Sequence, residues 1–289
     1  MTLSPRIVVV HRRTELADLL ARHGTRGQVD FFLSSRGQSL HEVTRRDAAD
    51  QAALATVSSA IPLDWRRGSV ERDDLARFLF APEDVVVVVG QDGLVANAAK
   101  YLAGQPVIGI NPTPGGVLAR HAPTAASKLL RAVTTGSATH EARTMVEAVS
   151  DDGQRLVALN EVYIGHPGHQ TARYRIADLE RQASSGVLVG TGTGATGWCG
   201  SVWRERHTAL PLPSPTEERL AWFVREAWPS PGTGVALTEG SITENPLVID
   251  VESDGLVVFG DGIEQDCVRL GWGQRLEVGL ATTHLNLVN

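Results

Sequence analysis

The chain of 289 residues is 42% hydrophobic and 21% charged, enough for one large domain or two ordinary ones with real cores, which excludes disorder and fibre. Twenty-seven Lys plus Arg against 33 Asp plus Glu give a formal charge of -6, so nucleic acid and anionic membrane are poor partners. Cys199 and Cys267 show neither CxxC nor His-Cys spacing, and no apolar run approaches the ~18 residues of a membrane span. A cytoplasmic protein with no disulfide framework and no dedicated metal site is expected.

In chain order, Ile7 to Val10 reads as a strand and Thr14 to Arg22 as a helix closed by Gly24, which is a βα rhythm. Beyond Phe31-Phe32-Leu33, Ser39-Leu40-His41-Glu42 has the layout of a capping box and predicts a helix to about Ala60. A further helix is predicted over Glu71 to Phe80, stopped by Ala81-Pro82. The five valines Val85 to Val89 describe a strand buried on both faces, as in a parallel sheet under helices. With Gly90-Gln91-Asp92-Gly93, a helix from Leu94 to Leu102 and a strand from Pro106 to Ile110, they form one βαβ unit. Asn111-Pro112-Thr113-Pro114-Gly115-Gly116 is punctuated like a domain crossing, and a helix near Thr124 to Val133 follows. The boundary falls close to residue 120.

The second half reads as strands separated by turns. Arg143 to Val149, the turn Asp151-Asp152-Gly153 and Leu156 to Ile164 predict an antiparallel hairpin. Further strands are predicted at Ala172 to Ile176, Gly186 to Val189, Leu247 to Val251, Leu256 to Phe259 and Arg275 to Leu280. The Pro-rich Pro211 to Pro215, which precedes a short amphipathic piece at Glu217 to Ala227, reads as a surface excursion between strands.

Three stretches carry chemistry. A turn at Gly90 to Gly93, between a buried strand and a helix, aims backbone amides where phosphate can sit. A carboxylate there would repel the anion unless it has its own task, such as taking a hydroxyl proton during phosphoryl transfer; the bland alternative is a plain Asp-Gly turn. Gly190 to Gly197 contains a G-x-G-x-x-G at 192 to 197, but the dinucleotide fingerprint needs a following helix, a second parallel strand and an acidic residue about twenty positions on, and here the Pro-rich stretch arrives first. That leaves a nucleotide loop working through amides and hydroxyls, or a plain glycine loop. Finally, Asn160-Glu161 interrupts the apolar run Leu156 to Ile164, so at least one of the pair needs a partner or a ligand unless it lies at a strand edge. His166 and His169 flank Pro167-Gly168 without a third ligand nearby and read as a solvated loop.

In order and spacing, Val89 to Gly93, Ala158 to Gly165 and Ser184 to Trp198 resemble the NAD kinases. The likeness is greatest to the mitochondrial-type branch, which shares Thr-Gly-Thr-Gly where most members have Thr-Pro-Thr-Gly, and an Asn-x-x-Pro turn like Asn111 to Pro114. Weaker likeness at Phe223 to Glu226 and Val251 to Gly255 extends it over most of the chain. The resemblance implies an NAD kinase and diacylglycerol kinase-like fold. Residues 1–120 would form a parallel, Rossmann-like three-layer α/β domain that takes the phosphate donor. Residues 121–289 would form a β-sandwich-like domain that takes NAD, with the C-terminal tail packing back on the first and the active site in the cleft between them.

It further implies Asp92 as general base for the adenosine ribose 2'-hydroxyl, Gly90, Gln91 and Gly93 as holders of the ATP phosphates, and Asn160, Glu161, Thr196, Gly197, Trp198 and Ser201 as the NAD pocket. Mg2+ would enter with ATP, and the enzyme would be a homodimer or larger. The family's Gly-Gly-Asp-Gly-Thr stands here as Gly90-Gln91-Asp92-Gly93-Leu94. A side chain at 91 calls for an altered backbone angle or intrudes where phosphate approaches, and Leu94 removes a hydroxyl. Two rivals therefore stand beside the kinase: a non-catalytic NAD or NADP binder with an altered phosphate loop, and a lipid or other small-molecule kinase of the same superfamily.

Overall fold

The structure, a computed structural model, describes residues 5–113, 115–168 and 170–289; His169 lies outside them. The chain divides into two compact units. The first comprises residues up to Ala98, Gln105–His140 and Asn286–Asn289, and the second Ala99–Gly104 and Glu141–Leu285.

The first unit runs β1 (Arg6–His11), α1 (Glu15–His23), α2 (Arg26–Ser34), α3 (Leu40–Ala60), β2 (Arg66–Glu71), β3 (Val85–Val89), α4 (Asp92–Ala99), β4 (Pro106–Ile110), α5 (Ala126–Thr134) and β5 (His140–Arg143), where the chain leaves it. The unbroken apolar runs have the cause expected of a parallel sheet. β1 pairs in parallel with β2 and β3, and β3 with β4, and every residue of β3 is buried. Val57, Leu129 and Leu130 of α3 and α5 pack with Ile7, Val9, Val85, Val87 and Ile108 in one apolar cluster.

The second unit runs β6 (Val146–Ser150), β7 (Arg155–Ala158), β8 (Glu161–Gly165), β9 (Ala172–Ile176), β10 (Glu180–Ser184), β11 (Gly186–Gly190), α6 (Trp198–Arg206), β12 (Leu220–Arg225), β13 (Glu239–Ile242), β14 (Leu247–Val251), β15 (Leu256–Gly260), β16 (Val268–Leu270) and β17 (Arg275–Leu280). Two antiparallel sheets, ordered β10-β9-β14-β17-β6-β7 and β13-β12-β11-β8-β15-β16, share one large core of alternate residues such as Val162, Ile164, Tyr174, Ile249 and Leu276. The outward residues of the second sheet, Leu188, Ala221 and Phe223, pack against Cys199 and Val202 of α6. The chain then returns as β18 (Leu285–Val288), parallel to β4, and completes the first sheet in the order β2-β1-β3-β4-β18-β5.

Several local expectations are corrected. Glu71 to Phe80 is no α-helix: Arg66–Glu71 pairs with β1 as an edge strand and Arg72–Arg77 makes a 3-10 turn, leaving Leu75 buried. Ser39 starts α3 without a side-chain capping bond. Arg143 to Val149 splits into β5 and β6. The supposed single strand Leu156 to Ile164 breaks at Leu159-Asn160, because β7 and β8 belong to different sheets of the sandwich and the chain crosses between them there. Residues 220 to 225, expected within a short amphipathic piece, form β12, almost wholly buried beside β11. No helix among the described residues is long and apolar enough to cross a membrane.

Candidate active site

In the first unit, β3 ends at Val89 and α4 begins at Asp92, so Gly90 and Gln91 form the tight βα turn. The amide of Gly90 is spent on the Ile110 carbonyl at 2.9 Å, which leaves those of Gln91, Asp92 and Gly93, at the start of the helix, for an anion. Gln91 has no positive φ, so its side chain is carried without backbone strain and lies exposed. Leu94 is a core residue. Its Cδ2 lies 2.9 Å from where a Cβ on Gly90 would stand, so a side chain at 90 would have to displace the end of Leu94.

The Asp92 carboxylate is held by the segment after β4. Oδ2 accepts from the Val117 amide at 2.8 Å, and Oδ1 from Leu118 and Ala119 at 2.9 and 2.8 Å. Gly116 permits this wrap, since a Cβ there would lie 2.7 Å from Asp92 Oδ1 and 2.2 Å from the Ala119 carbonyl oxygen. Oδ1 is thus saturated, while Oδ2 keeps one acceptor position.

Beside the turn, at the carboxyl ends of β1, β3 and β4, lies a crevice of about 300 Å³. It opens where the chain reverses its order in the sheet, the place at which such sheets receive ligands. Arg12, Arg13, Gly90, Gln91 and Thr113 line it. Sequence reasoning passed over Arg12 and Arg13, although Val10 to Thr14, like the Asp92 loop, joins a buried strand to a helix within a few residues.

In the second unit the turn Leu159-Asn160 is gripped from two sides. The Asp261 carboxylate accepts from the amides of Leu159 (2.8 Å) and Asn160 (2.7 Å). Thr191 donates its hydroxyl to the Leu159 carbonyl at 2.6 Å and its amide to the Asn160 carbonyl at 2.9 Å. The Thr-Gly-Thr-Gly loop must come this close, for a Cβ on Gly194 would lie 2.2 Å from the Asn160 carbonyl oxygen. By contrast, the side chains of Asn160 and Glu161 make no hydrogen bond among the described residues.

Glu161 and Tyr163, two apart on β8, share the outward face. Tyr163 stacks on Trp198 with centroids 5.5 Å apart, Phe259 flanks it at 5.1 Å, and the Arg225 guanidinium lies over Trp198 at 5.2 Å. Thr196, Gly197 and Ser201 are exposed at the start of α6, with the Thr196 hydroxyl turned back on the Thr193 carbonyl. The structure therefore gathers Asn160, Glu161 and the loop leading to Trp198 into one site. Gly90, Gln91, Asp92 and Gly93 form a separate constellation within the first unit. Among the described residues no group of three His, Cys, Asp or Glu is set to hold a metal ion.

Burial, and next to it the nearby Asp261, lifts the Glu161 carboxyl to about 8, and burial lifts Asp261 to about 6 against the amides that favour its ionised form. At neutral pH Glu161 carries a proton and can both donate and accept. The folded chain keeps this proton to about pH 8, whereas the unfolded chain releases it near 4.5. Stability contributed by Glu161 is therefore full at acid pH and lost as pH rises through that window. Glu161→Gln is expected to gain on the parent by about 1 kcal/mol or more between pH 5 and 8.5 in urea melts. Equal pH slopes for the two proteins would contradict the assignment.

No protein-family model matches the chain. An NAD kinase of Hahella chejuensis is 28% identical over 195 residues, 62% of this chain and 58% of that one. An NAD kinase of Mycobacterium bovis is 28% identical over 297 residues, 96% of this chain and 88% of its own length. The chain spans about three fifths or less of the first curated relatives it matches. Among solved structures, yeast NADH kinase complexed with NADH superposes with a TM-score of 0.63 at 14% identity, over 100% of this chain and 84% of that one. An Archaeoglobus fulgidus NAD kinase in complex with ATP gives 0.57 at 16% identity, over 98% and 93%. The fold is that of the NAD kinases, an α/β unit with a sheet-rich second unit. The curated relatives that the chain resembles are NAD kinases, the structures share its fold, and none of them singles out a branch.

Proposed function

We propose that this chain is an NAD(H) kinase that transfers the terminal phosphoryl group of Mg-ATP to the adenosine ribose 2'-hydroxyl of NAD. The observation that carries this reading is the Asn160-Glu161 turn: its backbone is fixed by Asp261 and Thr191 while both side chains stand unclaimed beside an aromatic pair, on the fold of the NAD kinases. Asn160 and Glu161 hydrogen-bond a ribose diol, the Tyr163 and Trp198 rings offer a stacking face, and Thr196, Gly197 and Ser201 complete the pocket. The amides of Gln91 and Gly93 hold donor phosphate. Asp92 takes the 2'-hydroxyl proton through its remaining Oδ2 lone pair as that oxygen bonds to the γ-phosphorus and ADP leaves. Magnesium, arriving on ATP, offsets the charge that develops on the phosphate oxygens. A cytoplasmic homodimer or larger assembly and a mitochondrial-type kinship belong to the same proposal.

The second reading, a pyridine-nucleotide binder without turnover, is favoured by one observation: three amides already occupy the Asp92 carboxylate. Incubation with NAD, ATP and magnesium, followed by an NADP-specific dehydrogenase, decides between them. NADP formation is expected. Its absence alongside calorimetric NAD binding would establish the binder. In that case Gln91→Gly is the cleaner attempt at gaining activity, because Leu94→Thr would also empty part of the core.

A further inference from the structure

Asp261 directly follows β15 in a backbone conformation that few residues with a side chain adopt, at φ 53°, followed by Gly262 at 69°. The turn is tied by the Asp261 amide to the Glu161 carbonyl at 3.2 Å and by Ile263 to Gly260 at 3.0 Å. Such strain persists where the surroundings over-determine it, and here its product is specific: both carboxylate oxygens point at successive amides of the segment that crosses between the two sheets. Farther along the same loop, Lys100 Nζ bonds Asp266 Oδ2 at 2.8 Å and its carbonyl at 2.9 Å, and the Tyr101 hydroxyl donates to Asp266 at 2.6 Å. The loop that presents Asp261 is thus anchored at both ends.

We propose that Asp261 is a positioning residue of the candidate site, whose carboxylate fixes the Leu159-Asn160 backbone so that the Asn160 and Glu161 side chains meet the vicinal diol of a nucleotide ribose in one geometry. This rests on the NAD reading above. A lone carboxylate facing Asn160 and Glu161 from the neighbouring loop also sets the charge that Glu161 experiences. The other ionisable groups bearing on that corner are the buried Cys199 thiol of α6, which feels Glu161, and Lys100, which feels Asp261. Removing the Asp261 charge therefore lowers the pH at which Glu161 releases its proton.

The test compares the full chain with Asp261→Gly, which suits the positive φ, and Asp261→Asn, which keeps one acceptor oxygen in the same place. Three quantities are read: NAD affinity by calorimetry, hydrogen exchange at the amides of Leu159 and Asn160, and the Glu161 titration by carbon NMR. Asp261→Gly is expected to weaken NAD about tenfold or more, speed exchange at both amides and move the Glu161 titration to lower pH, with Asp261→Asn between it and the parent in affinity and exchange but, being equally uncharged, matching Asp261→Gly in the direction of the titration shift. A variant that lost thermal stability alone, with affinity and titration unchanged, would overturn the proposal. If the parent binds no NAD, the nucleotide reading fails by itself. Exchange at Leu159 and Asn160 then judges the pinning, and parent-like protection in Asp261→Gly would overturn that as well.

Discussion

Replacing Asp92 by asparagine is expected to lower NADP formation by about 10²–10⁴-fold, the usual worth of a positioned base, while NAD affinity stays near that of the parent. The geometry adds a structural cost. Oδ1 accepts two amides and Oδ2 one, so an asparagine in either orientation turns its NH2 toward at least one amide hydrogen of Val117 to Ala119. One unsatisfied amide in this half-buried place costs about 1–3 kcal/mol, enough to loosen the segment and too little to unfold the unit. Base and tether are separated by measuring turnover under conditions where circular dichroism shows the variant fully folded. A defect that remains at full folding is chemical. A variant that turns over like the parent there would remove Asp92 from the mechanism.

The second large effect concerns backbone room. A Cβ on Gly194 would stand 2.2 Å from the Asn160 carbonyl oxygen, and one on Gly192 would stand 1.9 Å from that of Ser214. Both obstacles are main chain, which cannot rotate aside. Gly194→Ala is expected to force the loop off the Asn160 turn, break the Thr191 bonds and cost about 3 kcal/mol or more, at about 2–4 °C of Tm per kcal/mol. Gly27→Ala serves as the control, since nothing lies within 4 Å of its added methyl in α2, and it should hold or slightly raise Tm. Similar Tm values for the two variants would refute this account of the loop. The same contact explains why glycine stands at 192: the Pro-rich segment ending at Pro215 lies against that carbon.

Some of this was legible because local pattern and tertiary environment coincide. Val85 to Val89 reads as a two-face-buried strand and is one, and the Asp92 loop falls where a parallel strand meets a helix. The sandwich was harder. Leu156 to Ile164 is a continuous apolar run because both β7 and β8 feed the same core, so hydropathy hides the crossing at Asn160, and only the polar pair marks it. Leu220 to Val224 hid behind its charged neighbours and the Pro-rich segment. Asp261 carried no local signal at all. Its function depends on two amides about a hundred positions earlier in the chain, and a Gly-Asp-Gly turn by itself shows only a turn.

β18 gives the molecule a schedule as well as a shape. The partner that covers the open side of β4 is made only after the whole stretch Glu141–Leu285 has been synthesised. At translation rates of about 5–20 residues per second, the Pro106 to Val107 edge waits on the order of ten seconds with its ladder unfilled and the place of Val288 in the apolar cluster vacant. During that interval the nascent first unit is a ready target for chaperones and for pairing with a neighbouring nascent chain. Tags fused behind Asn289, or truncations that remove Leu285–Val288, should therefore depress soluble yield far more than changes of equal size in the Pro211 to Pro215 segment.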